Sequence, residues 1–276
     1  MWNIFITEEK AVWITTAMVL CTAFFMSIEY LFSWKRGKFS EETFFSWSVT
    51  QSRPGWIYRG WSLRLLNHLF DKHGFGFLIG TRLLLIVIAF VCMGKDAYLG
   101  SCLALLSGMS CLLNIRHFQG KDGADESLTV LLFGLTVYYL IGPTSSLRFV
   151  GIAFIIAQIS LSYFISGYYK IKSKTWRSGQ AIQNVLATKI YGQPSLVFLM
   201  KNSYLSRFTC WTIVLWELTF PIIFLVAAPL SFSWLVMGVA FHLAMAFIMG
   251  LNTFMMSFLS SYPLFFFALY YLSIGH

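Results

Sequence analysis

Eight apolar runs follow one another down this chain, at about Ala11–Trp34, Phe75–Met93, Ala97–Leu113, Leu128–Ile141, Phe149–Tyr169, Phe208–Ala228, Trp234–Leu251 and Phe254–Ile274. Most approach the roughly 20 residues that a helix needs to cross a hydrocarbon core of about 30 Å. Lipid offers the backbone no hydrogen bonds, so each run must satisfy its own amides as a helix. The expected fold is therefore all-α: a polytopic transmembrane helix bundle of about eight spans with interfacial amphipathic helices. With 58% hydrophobic and only 11% charged residues, the composition excludes an ordinary soluble domain. No stretch is left to bury a separate soluble core, and there is no repeat or low-complexity linker, so residues 1–276 read as a single domain.

The connections are as informative as the spans. In residues 35–73, Phe44, Phe45, Trp47, Trp56, Trp61, Leu65, Leu66, Leu69 and Phe70 recur among Arg53, Arg59, Arg64 and Lys72. That pattern predicts amphipathic helices lying on the membrane, broken in two by Pro54-Gly55. Residues 170–205 form a second amphipathic connection. The Gly and Ser of the third span predict close helix packing, Gly142-Pro143 predicts a tight reversal, and the weak break at Leu251-Asn252-Thr253 allows the last two spans to form one bent unit. Of the 20 Lys and Arg residues, seven lie in 35–73, two in 115–126 and seven in 170–207. These connections share a side if every span crosses once, which places them in the cytoplasm and both termini outside. The net charge of +9 thus reflects membrane lipids rather than nucleic acid as the partner. The N-terminus, MWNIFITEEK, is acidic and has no small-residue cleavage site, so the first run reads as a retained span. The five cysteines sit in or beside apolar runs without metal-type spacing and read as small apolar residues; no metal is expected.

An ionisable side chain within a span costs about 2.5–3.5 kcal/mol and needs a partner or a purpose. Glu29, Arg82, Glu217 and His242 are such residues. One expectation is that Arg82 pairs with Glu29 or Glu217 as a scaffold contact. The other is a polar cavity between helices in which Glu217 and His242 set the protonation of a bound substrate. Lys170 sits at the end of its span, after Ser166-Gly167, where small side chains leave room for a ligand or a neighbouring helix. A lysine partly desolvated there has its charged form disfavoured, and a neutral amine is a competent general base.

Around Lys170 the chain reads YFISGYYKIKSKTWRSG. Tyr163, Phe164, Ser166, Gly167, Lys170, Ile171, Trp176 and Gly179 resemble the Tyr-Phe-x-Ala-Gly-x-x-Lys-Leu and Trp-x-x-Gly pattern of the HTTM (horizontally transferred transmembrane) family. That family includes the membrane part of vitamin K-dependent γ-glutamyl carboxylase and the sporulation-delaying protein B group. Three further stretches resemble it in order: KDGADESLTVLLF at 121–133, WELTFP at 216–221 and FHLAMAFIMGLNTF at 241–254. In place of the carboxylase histidine at the start of the span near Asp125–Leu128 there is none; His117 lies about eight residues earlier.

The resemblance implies an integral enzyme of the bacterial inner membrane acting on a quinol-like, lipid-soluble substrate, with O2 and CO2 as co-reactants. It makes Lys170 the catalytic base, with Gly167, Trp176, Gly179, Glu217, His242, Arg116 and Asp125 around the substrate. A small peptide substrate and a partner maturation protein are implied with it. The competing expectation is a non-catalytic membrane factor for toxin-peptide maturation, export or immunity. A transporter is a third, weakened by the lack of a repeat with matched broken helices.

Overall fold

The structure, a computed structural model, describes residues 7–118 and 123–274. In chain order it forms α1 (Glu8–Lys35), α2 (Trp47–Gln51), a 3-10 turn (Trp56–Tyr58), α3 (Gly60–Phe70), α4 (Lys72–Val91), α5 (Asp96–Arg116) and α6 (Ala124–Ile141). There follow α7 (Phe149–Lys172), α8 (Lys174–Ser178), α9 (Gln180–Leu186), α10 (Pro194–Met200), α11 (Ser203–Thr219), α12 (Ala228–Met249), α13 (Asn252–Leu259) and α14 (Tyr262–Ile274). No strand occurs among the described residues. Eight helical segments there are long and apolar enough to cross a membrane, α13 and α14 counting as one. The protein is an all-α, multi-pass membrane protein. Large apolar side chains such as Phe25, Leu84, Phe133, Phe208 and Phe247 stand exposed on the spans, as expected where the surrounding solvent is hydrocarbon.

Local chemistry sets the boundaries. Asp71 starts α4 by accepting the Gly74 N–H at 2.5 Å, and Asn202 starts α11 by accepting from Tyr204 and Leu205. Gly142, at φ 78°, ends α6 before Pro143. Helix is interrupted at Pro54-Gly55 and resumes at Trp56, as the sequence predicts. The last two spans depart from expectation. Gly250 terminates α12 in the left-handed region, its N–H on the Ala246 carbonyl, and α13 packs back against α12. The pair is a reversal, not one bent unit, because the glycine admits a backbone conformation that redirects the chain. A second break at Ser260-Ser261 divides α13 from α14, next to Pro263.

The chain falls into two compact units, Trp13–Ala153 and Phe154–His276 with Met1–Val12. In the first, α5 and α6 pack closely: Ser107 and Thr136 hydroxyls meet at 3.3 Å, Asn114 donates to Thr129 at 2.8 Å, and a Cβ on Gly100 would reach Leu140 at 2.9 Å. The predicted small-residue contact is therefore present. Its apolar core joins Tyr30, Trp47, Leu66, Phe70, Phe75, Leu78, Ile79 and Leu113, so α3 buries one face of the 35–73 connection while Trp61 and Leu65 stay exposed. In the second unit, Trp216 donates its indole N–H to the Trp234 carbonyl at 3.1 Å, and Ser231 donates to the Ile223 carbonyl at 2.6 Å. The first bond ties α11, and the second the 3-10 turn that follows it at Pro221, to α12.

Candidate functional site

Lys170 lies in the last turn of α7. Its ammonium donates to Ser166 Oγ, one turn earlier, at 2.9 Å, and forms an ion pair with Glu217 of α11. The Trp176 ring centroid is 4.9 Å from Nζ, close enough for a cation–π contribution. The Lys170 side chain is 20% exposed and that of Glu217 4% exposed. Glu217 Oε2 is buried and has no hydrogen-bond partner among the described residues.

Two glycines build this pair without touching it. A Cβ on Gly167 would lie 2.6 Å from the Leu218 backbone nitrogen, so α11 passes against α7 at this point and brings Glu217 opposite Lys170. Of the two occupants the sequence allows beside Gly167, ligand or helix, the structure places the helix. Gly179, at φ 89°, ends α8; its carbonyl accepts the Ser206 hydroxyl, and a Cβ there would meet Arg207 N at 2.7 Å. The Trp-x-x-Gly turn thus seats the start of α11, and its glycine acts on the backbone.

His242, fully buried in α12, does not join Glu217 in a shared pair. Its Nε2 is 2.6 Å from the Tyr163 hydroxyl, which is 3.2 Å from the Tyr262 hydroxyl. Phe258 stacks on the imidazole at 5.0 Å between ring centroids, with Phe241 and Phe254 at 5.3 and 5.4 Å. Tyr163 lies two turns before Lys170 on α7 and within electrostatic reach of Glu217. The second unit's polar interior is therefore two neighbouring hydrogen-bonded groups, Lys170–Ser166–Glu217 and Tyr163–His242–Tyr262.

Arg116 and Asp125 belong to the first unit and have partners there. Arg116 donates to the Phe45 carbonyl at 2.8 Å and reaches the Phe39 carbonyl at 3.4 Å. Asp125, in the first turn of α6, accepts the Tyr30 hydroxyl at 2.8 Å. Glu217 is engaged by Lys170, and the buried Arg82 of the first unit has Tyr30 and Asp125 as its electrostatic neighbours. His117, eight residues early in sequence, is folded against the same Tyr30 at 5.6 Å between ring centroids and stacks on Phe45 at 5.5 Å.

Sequence reasoning missed Ser166 as the lysine's partner, although its position four residues before Lys170 on a helix was a usable signal. It also missed Tyr163 and Tyr262 as the partners of His242. Tyr163 stood inside the quoted motif, whereas nothing marks Tyr262 among 13 tyrosines in an aromatic-rich chain. No protein-family model, no curated protein and no solved structure matches this chain.

Proposed function

We propose that this chain is an HTTM-type membrane enzyme in which Lys170 and Glu217 act together as the base toward the hydroxyl of a lipid-soluble, quinol-like substrate. The observation that carries the reading is the pair itself, two ionisable groups joined at the end of a span. A proton passing along their hydrogen bond turns ammonium and carboxylate into amine and carboxylic acid. Both forms are neutral overall, which lowers the cost of keeping them in a poorly polarisable medium. The amine form is a general base at the partly exposed end of the pair. After it takes the substrate's hydroxyl proton, Lys170 is an ammonium and Glu217 a carboxylic acid, so one positive charge stands beside the substrate oxyanion. Trp176 stabilises that charge through its ring face. Gly167 and Gly179 serve by admitting α11.

A quinol-type hydroxyl fits this pair because Lys170, its reacting end, remains partly exposed while Glu217 is buried behind it. Reaction with O2 and CO2, a small peptide substrate, a partner maturation protein and a bacterial inner-membrane location rest on the family resemblance alone. A second reading, a non-catalytic factor in toxin-peptide maturation, export or immunity, is favoured by one observation. Lys170 already gives hydrogen bonds to Ser166 and Glu217, which is enough to explain both charges as a clasp between α7 and α11.

The test uses purified protein in lipid nanodiscs. Mass spectrometry of its organic extract should find a co-purifying lipid-soluble hydroxyl compound, and an added prenylated naphthoquinol should be consumed under air. Absence of both, with and without added peptide, supports the clasp.

A further inference from the structure

Arg116 is a buried charge that the Lys170 chemistry does not use. It closes α5 at 2% exposure, and its guanidinium carbon lies 5.3, 5.9 and 5.2 Å from the ring centroids of Phe39, Trp47 and Phe75. Two of its nitrogens reach backbone carbonyls, but Nε has no hydrogen-bond partner, and no carboxylate among the described residues is within ion-pair distance. A guanidinium keeps its charge in such a place. Carbonyl dipoles and ring faces offset only part of the cost of removing it from water, so an anion brought against it would be stabilised.

The same residue lines a cavity of about 310 Å³ whose wall also carries the exposed Lys35 and Lys72. Because α1 ends at Lys35, α4 begins at Lys72 and α5 ends at Arg116, the cavity lies where three spans reach the membrane surface on the basic face. Trp34, beside it, donates its indole N–H to the Lys72 carbonyl at 3.0 Å, an arrangement suited to headgroup depth. Two carboxylates also line it. Asp71 is engaged in capping α4, and Glu41, exposed, is the charge neighbour of Arg116. Three cations against two carboxylates leave the cavity with a net positive charge of one, and Phe39 and Phe75 add apolar surface.

We infer that this cavity binds a phosphate group, supplied by the headgroup of a membrane phospholipid. Arg116 contributes its buried charge at the cavity wall, while Lys35 and Lys72 attract the anion from the rim. Free phosphate has the same chemistry, but the apolar surface and the depth of the cavity favour a lipid.

Delipidated full-length protein in neutral detergent is titrated with dioleoyl phosphatidylglycerol, and separately with inorganic phosphate, by native mass spectrometry and thermal melting. Wild type should bind the lipid about tenfold or more tightly than Arg116→Gln and the Lys35→Gln/Lys72→Gln variant. The second variant changes only exposed side chains, which keeps the test decisive if Arg116→Gln fails to fold. Stabilisation of wild type but not of the lysine variant by inorganic phosphate, without lipid preference, supports the anion site and overturns the lipid as its source. Equal binding of both ligands by wild type and the lysine variant overturns the proposal.

Discussion

At the scale of single residues, the functional reading turns on Lys170 and Glu217 being one unit. Removing one member leaves the other charge buried and unpaired, whereas removing both leaves a neutral contact. Lys170→Met should therefore lower stability by on the order of 3 kcal/mol, and Lys170→Met with Glu217→Gln should recover most of it. Thermal melting in detergent checks this, and additive losses in the double variant would show that the two side chains do not interact. Lys170 was legible in the sequence because it ends a span beside small residues and inside a motif. Its partner was not, since Glu217 lies 47 residues away and only the packing of α7 on α11 makes the two meet. The same holds for His242, whose intramembrane position was evident but whose Tyr163 and Tyr262 partners depend on three separate helices.

Among the elements, close helix approach rather than side-chain recognition explains the motif glycines Gly167 and Gly179. Gly167→Ala places a methyl group 2.6 Å from the Leu218 backbone and should cost about 1–3 kcal/mol while separating Lys170 from Glu217. Gly80, within α4, has open space where a Cβ would stand, with no atom within 4 Å, so Gly80→Ala should be neutral or stabilising by up to about 1 kcal/mol through helix propensity. Melting temperatures of the two variants check the contrast, and equal losses would contradict it. Most span limits were legible to within a few residues because hydropathy and capping residues act locally; the junction near Pro221 was not, since α11 ends at Thr219 and α12 already begins at Ala228. The reversal at Gly250 was less so, since a glycine followed by Leu-Asn gives no sign of which way the chain turns.

For the whole molecule, eight candidate spans and the clustering of Lys and Arg predict one orientation. Epitope insertions after Glu42 and Lys189 should be protected in right-side-out vesicles, and one after Thr144 should be accessible to protease. Accessibility of the Thr144 and Lys189 insertions from the same side would contradict the alternation of spans. What the chain does within that frame depends on whether the Lys170–Glu217 pair moves a proton or only holds two helices together. Lys170→Arg separates these roles, because arginine can keep the ion pair but stays charged and cannot serve as a base. The direct measurement is turnover of a prenylated naphthoquinol by wild type and Lys170→Arg in nanodiscs, with melting temperatures recorded on the same samples. A base at Lys170 predicts a loss of turnover of about a hundredfold or more with little change in melting. Turnover in Lys170→Arg equal to that of wild type would contradict it.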